Sequence, residues 1–74
     1  MRTYNNLERE INRNLELSSI CRGEWCRALE SEMDVLENEL HEVIKAGEME
    51  DLKIALISNK IRKAYGNFSP DIHV

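Results

Sequence analysis

The chain has 74 residues, 42% hydrophobic and 32% charged, with a formal charge of −4 at pH 7. That length holds one domain near the lower limit at which burial outweighs chain entropy, so additional support such as self-association is expected. One proline and three glycines exclude an all-β fold rich in turns. The composition is that of a globular rather than a disordered chain. With Tyr4, Trp25, Tyr65 and Phe68 as its aromatic residues, the core should be aliphatic.

Residues 5–18 read as a short amphipathic helix, with Leu7, Ile11, Leu15 and Ser18 on one face and Tyr4 leading in. Thr3, Asn5 or Asn6 can cap its start, and Glu8 and Glu10 in its first turns complement the helix dipole. Around Ser18–Gly23 the period is lost, which suggests a tight connection. A long helix over residues 24–46 follows. Cys26, Leu29, Met33, Leu36, Leu40 and Val43 recur at alternating spacings of three and four, the seam of a packed helix, flanked by Ala28, Val35 and Ile44.

Lys45-Ala46-Gly47 supplies a basic last turn and a glycine able to adopt a left-handed cap. A third helix over residues 48–65 should therefore fold back antiparallel as a hairpin. It carries two adjacent apolar stripes, Met49, Leu52, Ala55, Leu56 and Asn59 beside Ile54, Ile57, Ile61, Ala64 and Tyr65, and an arc that wide calls for two neighbours. Lys60, Arg62 and Lys63 lie near its C-terminus, Gly66 should end it, and residues 66–74 should form an extended tail because Pro70 disfavours helix at Ser69. The fold class expected is all-α: a short N-terminal helix and a long hairpin in one domain. Two hairpins would pair into a four-helix homodimer, with the N-terminal helices outside or at the ends.

Cys21 and Cys26 read as free thiols, because no signal-like or membrane-spanning run is present and the chain is expected to be cytoplasmic. On one continuous helix they would point roughly 140° apart, so a bridge requires residues 21–26 to form a loop. A zinc site is not expected from this spacing, with His41 and His73 as the remaining soft ligands. His41-Glu42-Val43-Ile44-Lys45 misses the zinc-protease helix motif because Lys45 stands where the second histidine is needed. Glu-x-x-His di-metal chemistry fails at Asn38. Glu32-Met33-Asp34 does not extend to the Ser-Gln-Glu-Leu-Asp run of the two-helix aspartyl-phosphate phosphatases, since Glu30 occupies the serine position. No catalytic residue, cofactor or metal is assigned.

Binding therefore remains. Residues 24–51 carry ten acids against Arg27 and Lys45, while both flanking segments are net positive. The chain is expected to be a non-enzymatic interaction or regulatory protein acting through protein–protein association, with itself and with an unidentified protein. Trp25, Leu29, Met33, Leu36, Leu40, Leu52, Leu56, Ile57, Ile61 and Tyr65 are the candidate interface, and Trp25 should be a contact residue. The alternative is an acidic mimic of nucleic acid, inhibiting a nucleic-acid-handling protein in the manner of phage inhibitors through Glu30, Asp34, Glu37 and Glu42. Direct nucleic-acid binding by Lys60, Arg62 and Lys63 with Tyr65 and Phe68 fits poorly with the acidic total charge.

Overall fold

The structure, a computed structural model, describes residues 3–68. The expected extended tail beyond Phe68, including Pro70 and His73, lies outside that range. The described residues are all-helical and contain no strand: α1 spans Tyr4–Ser18, α2 Glu24–Lys45 and α3 Asp51–Phe68.

Helix α1 starts where Thr3, extended at ψ 163°, turns its hydroxyl oxygen to accept the Asn6 N–H at 3.2 Å. Glu8 falls in the second turn rather than the first and accepts the Tyr4 hydroxyl, so its role is local hydrogen bonding more than dipole compensation. The buried residues of α1 are Leu7, Ile11, Asn14 and Ser18, which continue one heptad-like line. Leu15, expected on that line, is half-buried beside it. Helix α2 buries the seam read from its spacing, Leu29, Met33, Leu36, Leu40 and Val43, with Cys26 half-buried at its start.

Contacts between helices set their directions. The Asn14 side-chain N–H donates to the Leu29 carbonyl at 3.0 Å, so α1 and α2 run opposite ways about the turn between them. At one end of the bundle the Lys53 ammonium sits over the Tyr4 ring, 5.2 Å from its centre, and at the other the Asn67 amide donates to the Ser18 hydroxyl at 2.9 Å. Helices α1 and α3 therefore run the same way. Tyr65 reaches Asp34 and Glu37, which places α3 against α2 in the opposite sense. The result is an up-down-up three-helix bundle.

Helix α1 lies against both other helices, and more extensively than those two lie against each other. Leu7 and Ile11 are fully enclosed, so α1 is the third wall of the core and not an outer appendage. Within the single chain α1 thus covers the α2–α3 face that two hairpins were expected to share. The same placement resolves the double stripe of α3. Ile57, Ile61, Ala64 and Phe68 face inward, while Leu52, Ala55, Leu56 and Asn59 are exposed.

Between α2 and α3 the backbone closes through paired hydrogen bonds, Gly47 N–H to the Ile44 carbonyl at 3.0 Å and Glu48 N–H to the Val43 carbonyl at 3.4 Å. That pair satisfies two carbonyls at the end of α2 and requires a left-handed residue, which Gly47 supplies at φ 74°. Gly66 does not end α3. The helix continues to Phe68, whose ring meets Tyr65 edge-to-face at 5.9 Å and packs into the core, so burial outweighs the intrinsic cost of a helical glycine. Lys60, Arg62 and Lys63 consequently lie well inside α3 rather than in its last turn.

Candidate interaction faces

The expected interface residues divide sharply. Leu29, Met33, Leu36 and Leu40 of α2 and Ile57 and Ile61 of α3 are buried within the single chain and form its core. Leu52 and Leu56 are exposed at 68% and 54%. At 100° per residue they share a sector about 60° wide with Asn59 and Lys63, on the side of α3 opposite Ile57, Ile61 and Phe68. Trp25, expected to be a contact residue, is 45% exposed. It belongs to the first turn of α2, where it borders a groove shared with Glu10, Arg13 and Leu17 of α1 instead of entering the core. Ile20, which periodicity left unassigned, is also exposed, and so is Val35, which was expected to flank the α2 seam.

The candidate acidic face is not a single face. Glu30, Asp34 and Glu37 follow one another along the flank of α2 nearest α3, whereas Glu42 is turned about 140° away from Glu37. Two of these carboxylates are engaged by one phenol: the Tyr65 hydroxyl donates to Asp34 and also approaches Glu37 at 3.3 Å. Burial raises the Tyr65 pKa well above the ordinary tyrosine value, and the hydrogen bonds and negative charge of Asp34 and Glu37 raise it further. Glu42 pairs with Lys45 across one helical turn at 3.8 Å, both side chains well exposed. Of the four carboxylates, Asp34 and Glu37 are engaged by Tyr65 and Glu42 by Lys45. Tyr4 is shifted in the same direction as Tyr65, first by burial and then by Glu8.

Two features escaped sequence reasoning. The first is a polar layer at one end of the bundle, where Asn67 donates to Ser18, and Ser18 in turn donates to the Leu15 carbonyl. One turn away Asn14 is 1% exposed, and its side-chain carbonyl oxygen has no partner. The signal was present, since Leu7, Ile11, Asn14 and Ser18 hold one seam, but an apolar criterion selects Leu15 instead. The second feature is a disulfide joining Cys21 to Cys26, Cα atoms 5.1 Å apart, which corrects the expectation of free thiols. Residues 19–23 form a turn, with Gly23 at φ 59°, and the break in the helix brings the two cysteines to one side.

Among the described residues no group of histidine, cysteine, aspartate or glutamate side chains is placed to hold a metal ion. No helix there is long and apolar enough to cross a membrane. Comparison of the chain with protein-family models, with curated proteins and with solved structures finds no match.

Proposed function

We propose that this chain is a non-catalytic helical interaction module that self-associates through the outward face of α3. The observation that carries this reading is the pair Leu52 and Leu56, the two most exposed leucines of the bundle, one turn apart and directly opposite the core. Burying both against a second copy removes apolar surface that the single chain leaves in water.

Charge favours an antiparallel α3–α3 pairing. Glu48 and Glu50 precede the helix, Asp51 begins it, and Lys60, Arg62 and Lys63 lie in its second half, so two copies laid head to tail bring acid beside base at both ends. Leu56 then lies near the two-fold axis. The α2 helices, each with seven acids against Arg27 and Lys45, stay apart in that arrangement. One helix pair buries well below the ~1,600 Å² of a standard stable interface, so the dimer is expected to be weak and concentration-dependent.

Sedimentation equilibrium from micromolar to millimolar protein should show a monomer–dimer equilibrium that changes little with salt, as an apolar contact requires. Leu52→Glu with Leu56→Glu should give a monomer of undiminished helicity, because neither side chain supports the core. Ile57→Glu, by contrast, should unfold the chain. A wild-type protein that remains monomeric over the whole range refutes self-association.

A further inference from the structure

The cystine between α1 and α2 is placed like a reactive pair rather than a structural rivet. Cys26 is the third residue of α2, where the capping Gly23 offers no side chain and the Trp25 and Cys26 N–H groups donate to the Arg22 and Gly23 carbonyls at 3.2 and 3.1 Å. A helix N-terminus carries partial positive charge, which stabilises a thiolate at this position. Arg22 and Arg27, both exposed, line the same groove as Cys21 and Cys26 and set two positive charges there against the one carboxylate of Glu30. Both cysteines are half-buried, so the bond can be approached from that groove. The ring it closes spans only residues 21–26, so it removes little entropy from the unfolded chain and contributes little to folding stability.

We propose that Cys21–Cys26 is a thiol–disulfide exchange site whose oxidised form is the one in the structure and whose electron donor is a dithiol. Attack by the donor's thiolate on the Cys21 sulfur breaks the Cys21–Cys26 bond and expels Cys26, the sulfur best able to carry negative charge. The donor's second thiol then attacks its own sulfur in the mixed disulfide and releases Cys21, which takes up a proton. Two electrons pass from the dithiol to the protein, and the donor leaves as a disulfide. The reaction releases the constraint on the turn at Gly23 and alters the surroundings of Trp25, next in sequence to Cys26. Trp25 thus becomes a reporter of the redox state.

The test uses the full chain equilibrated in glutathione buffers of graded ratio, trapped by alkylation and weighed, with Trp25 emission followed in parallel. Expected is a mixture of bridged and doubly alkylated protein within the range those buffers cover, with emission rising as the neighbouring disulfide is removed. A pair that stays bridged in every glutathione buffer and yields only to dithiothreitol overturns the proposal. In Cys21→Ser, the alkylation rate of Cys26 should reach half its maximum at least one pH unit below that of Cys21 in Cys26→Ser, a tenfold difference in thiolate affinity for protons. Equal midpoints would show that the helix end and the arginines do not activate Cys26, and would also overturn it.

Discussion

Replacing Asn14 with leucine is expected to stabilise the bundle. The native side chain is 1% exposed, donates to the Leu29 carbonyl at 3.0 Å, and leaves its own carbonyl oxygen without a partner. An unsatisfied buried acceptor costs about 1–3 kcal/mol, and the hydrogen bond that offsets it contributes about 1 kcal/mol. Leucine removes both terms without creating a new orphan, because the Leu29 carbonyl also lies within the hydrogen-bonded run of α2. Its methyl groups add about 1.5–3 kcal/mol of apolar burial, against which the larger volume strains the packing by about 1–3 kcal/mol. The balance is a gain of about 1–2 kcal/mol, or a melting midpoint higher by about 4–8 °C per kcal/mol for a chain of this size. Urea denaturation of both proteins, read by circular dichroism, measures it. Asn14→Asp provides the contrast. A carboxyl group at this site titrates above its unfolded value, so that variant should be most stable at low pH and lose stability as pH rises past about 4. If Asn14→Leu is destabilised by more than about 1 kcal/mol, the oxygen has a partner after all and the reasoning fails. Asn14 also fixes alignment, since its bond to Leu29 is satisfied in one register of α1 on α2. The leucine variant should accordingly show broader amide resonances despite its higher melting point.

Tyr65→Phe should cost about 0.5–1.5 kcal/mol, because it removes the hydroxyl that Asp34 and Glu37 accept. The tyrosine pKa is raised in the folded state, so this contribution is complete below about pH 10 and is lost as pH climbs through the folded value. Tyrosinate absorbance during alkaline titration should show Tyr65 ionising after Tyr4, and a single transition at the ordinary tyrosine value would contradict the hydrogen-bonded geometry. Gly47→Ala should destabilise by about 1 kcal/mol and Gly47→Asn by less. A Cβ at this position meets nothing within 4 Å, so the cost is conformational alone. A urea midpoint unchanged by Gly47→Ala would mean that the turn does not need its left-handed residue.

The parts of the fold governed by local periodicity were legible in the sequence. The α2 seam from Leu29 to Val43 is buried as read, and the turn at Gly47 follows from a glycine after a basic last turn. What depends on the partner of each face was not legible. The double stripe of α3 implied two neighbours within an assembly, whereas α1 and α2 cover Ile57, Ile61 and Ala64 and leave Leu52 and Leu56 outside. A hydropathy pattern records how apolar each face is but not how many walls are at hand. Trp25 shows the limit at a helix end: it borders Leu29 as its spacing suggests, yet the ring stays 45% exposed at the edge of the groove between α1 and α2. Cys21 and Cys26 depended on whether the helix broke between them, a question that two serines and a glycine left open.

An odd number of helices has a mechanical consequence. Helix α1 begins and α3 ends at opposite poles, so whatever precedes the one and follows the other is held apart by the length of the rod, about 27 Å for an 18-residue helix. Tension applied through these two ends does not peel one helix from its neighbour turn by turn. It slides α1 along α3, loading the Tyr4–Lys53 contact, the Asn67–Ser18 hydrogen bond and the apolar surface between them all at once. A bundle with its ends at the same pole would unzip under a smaller force.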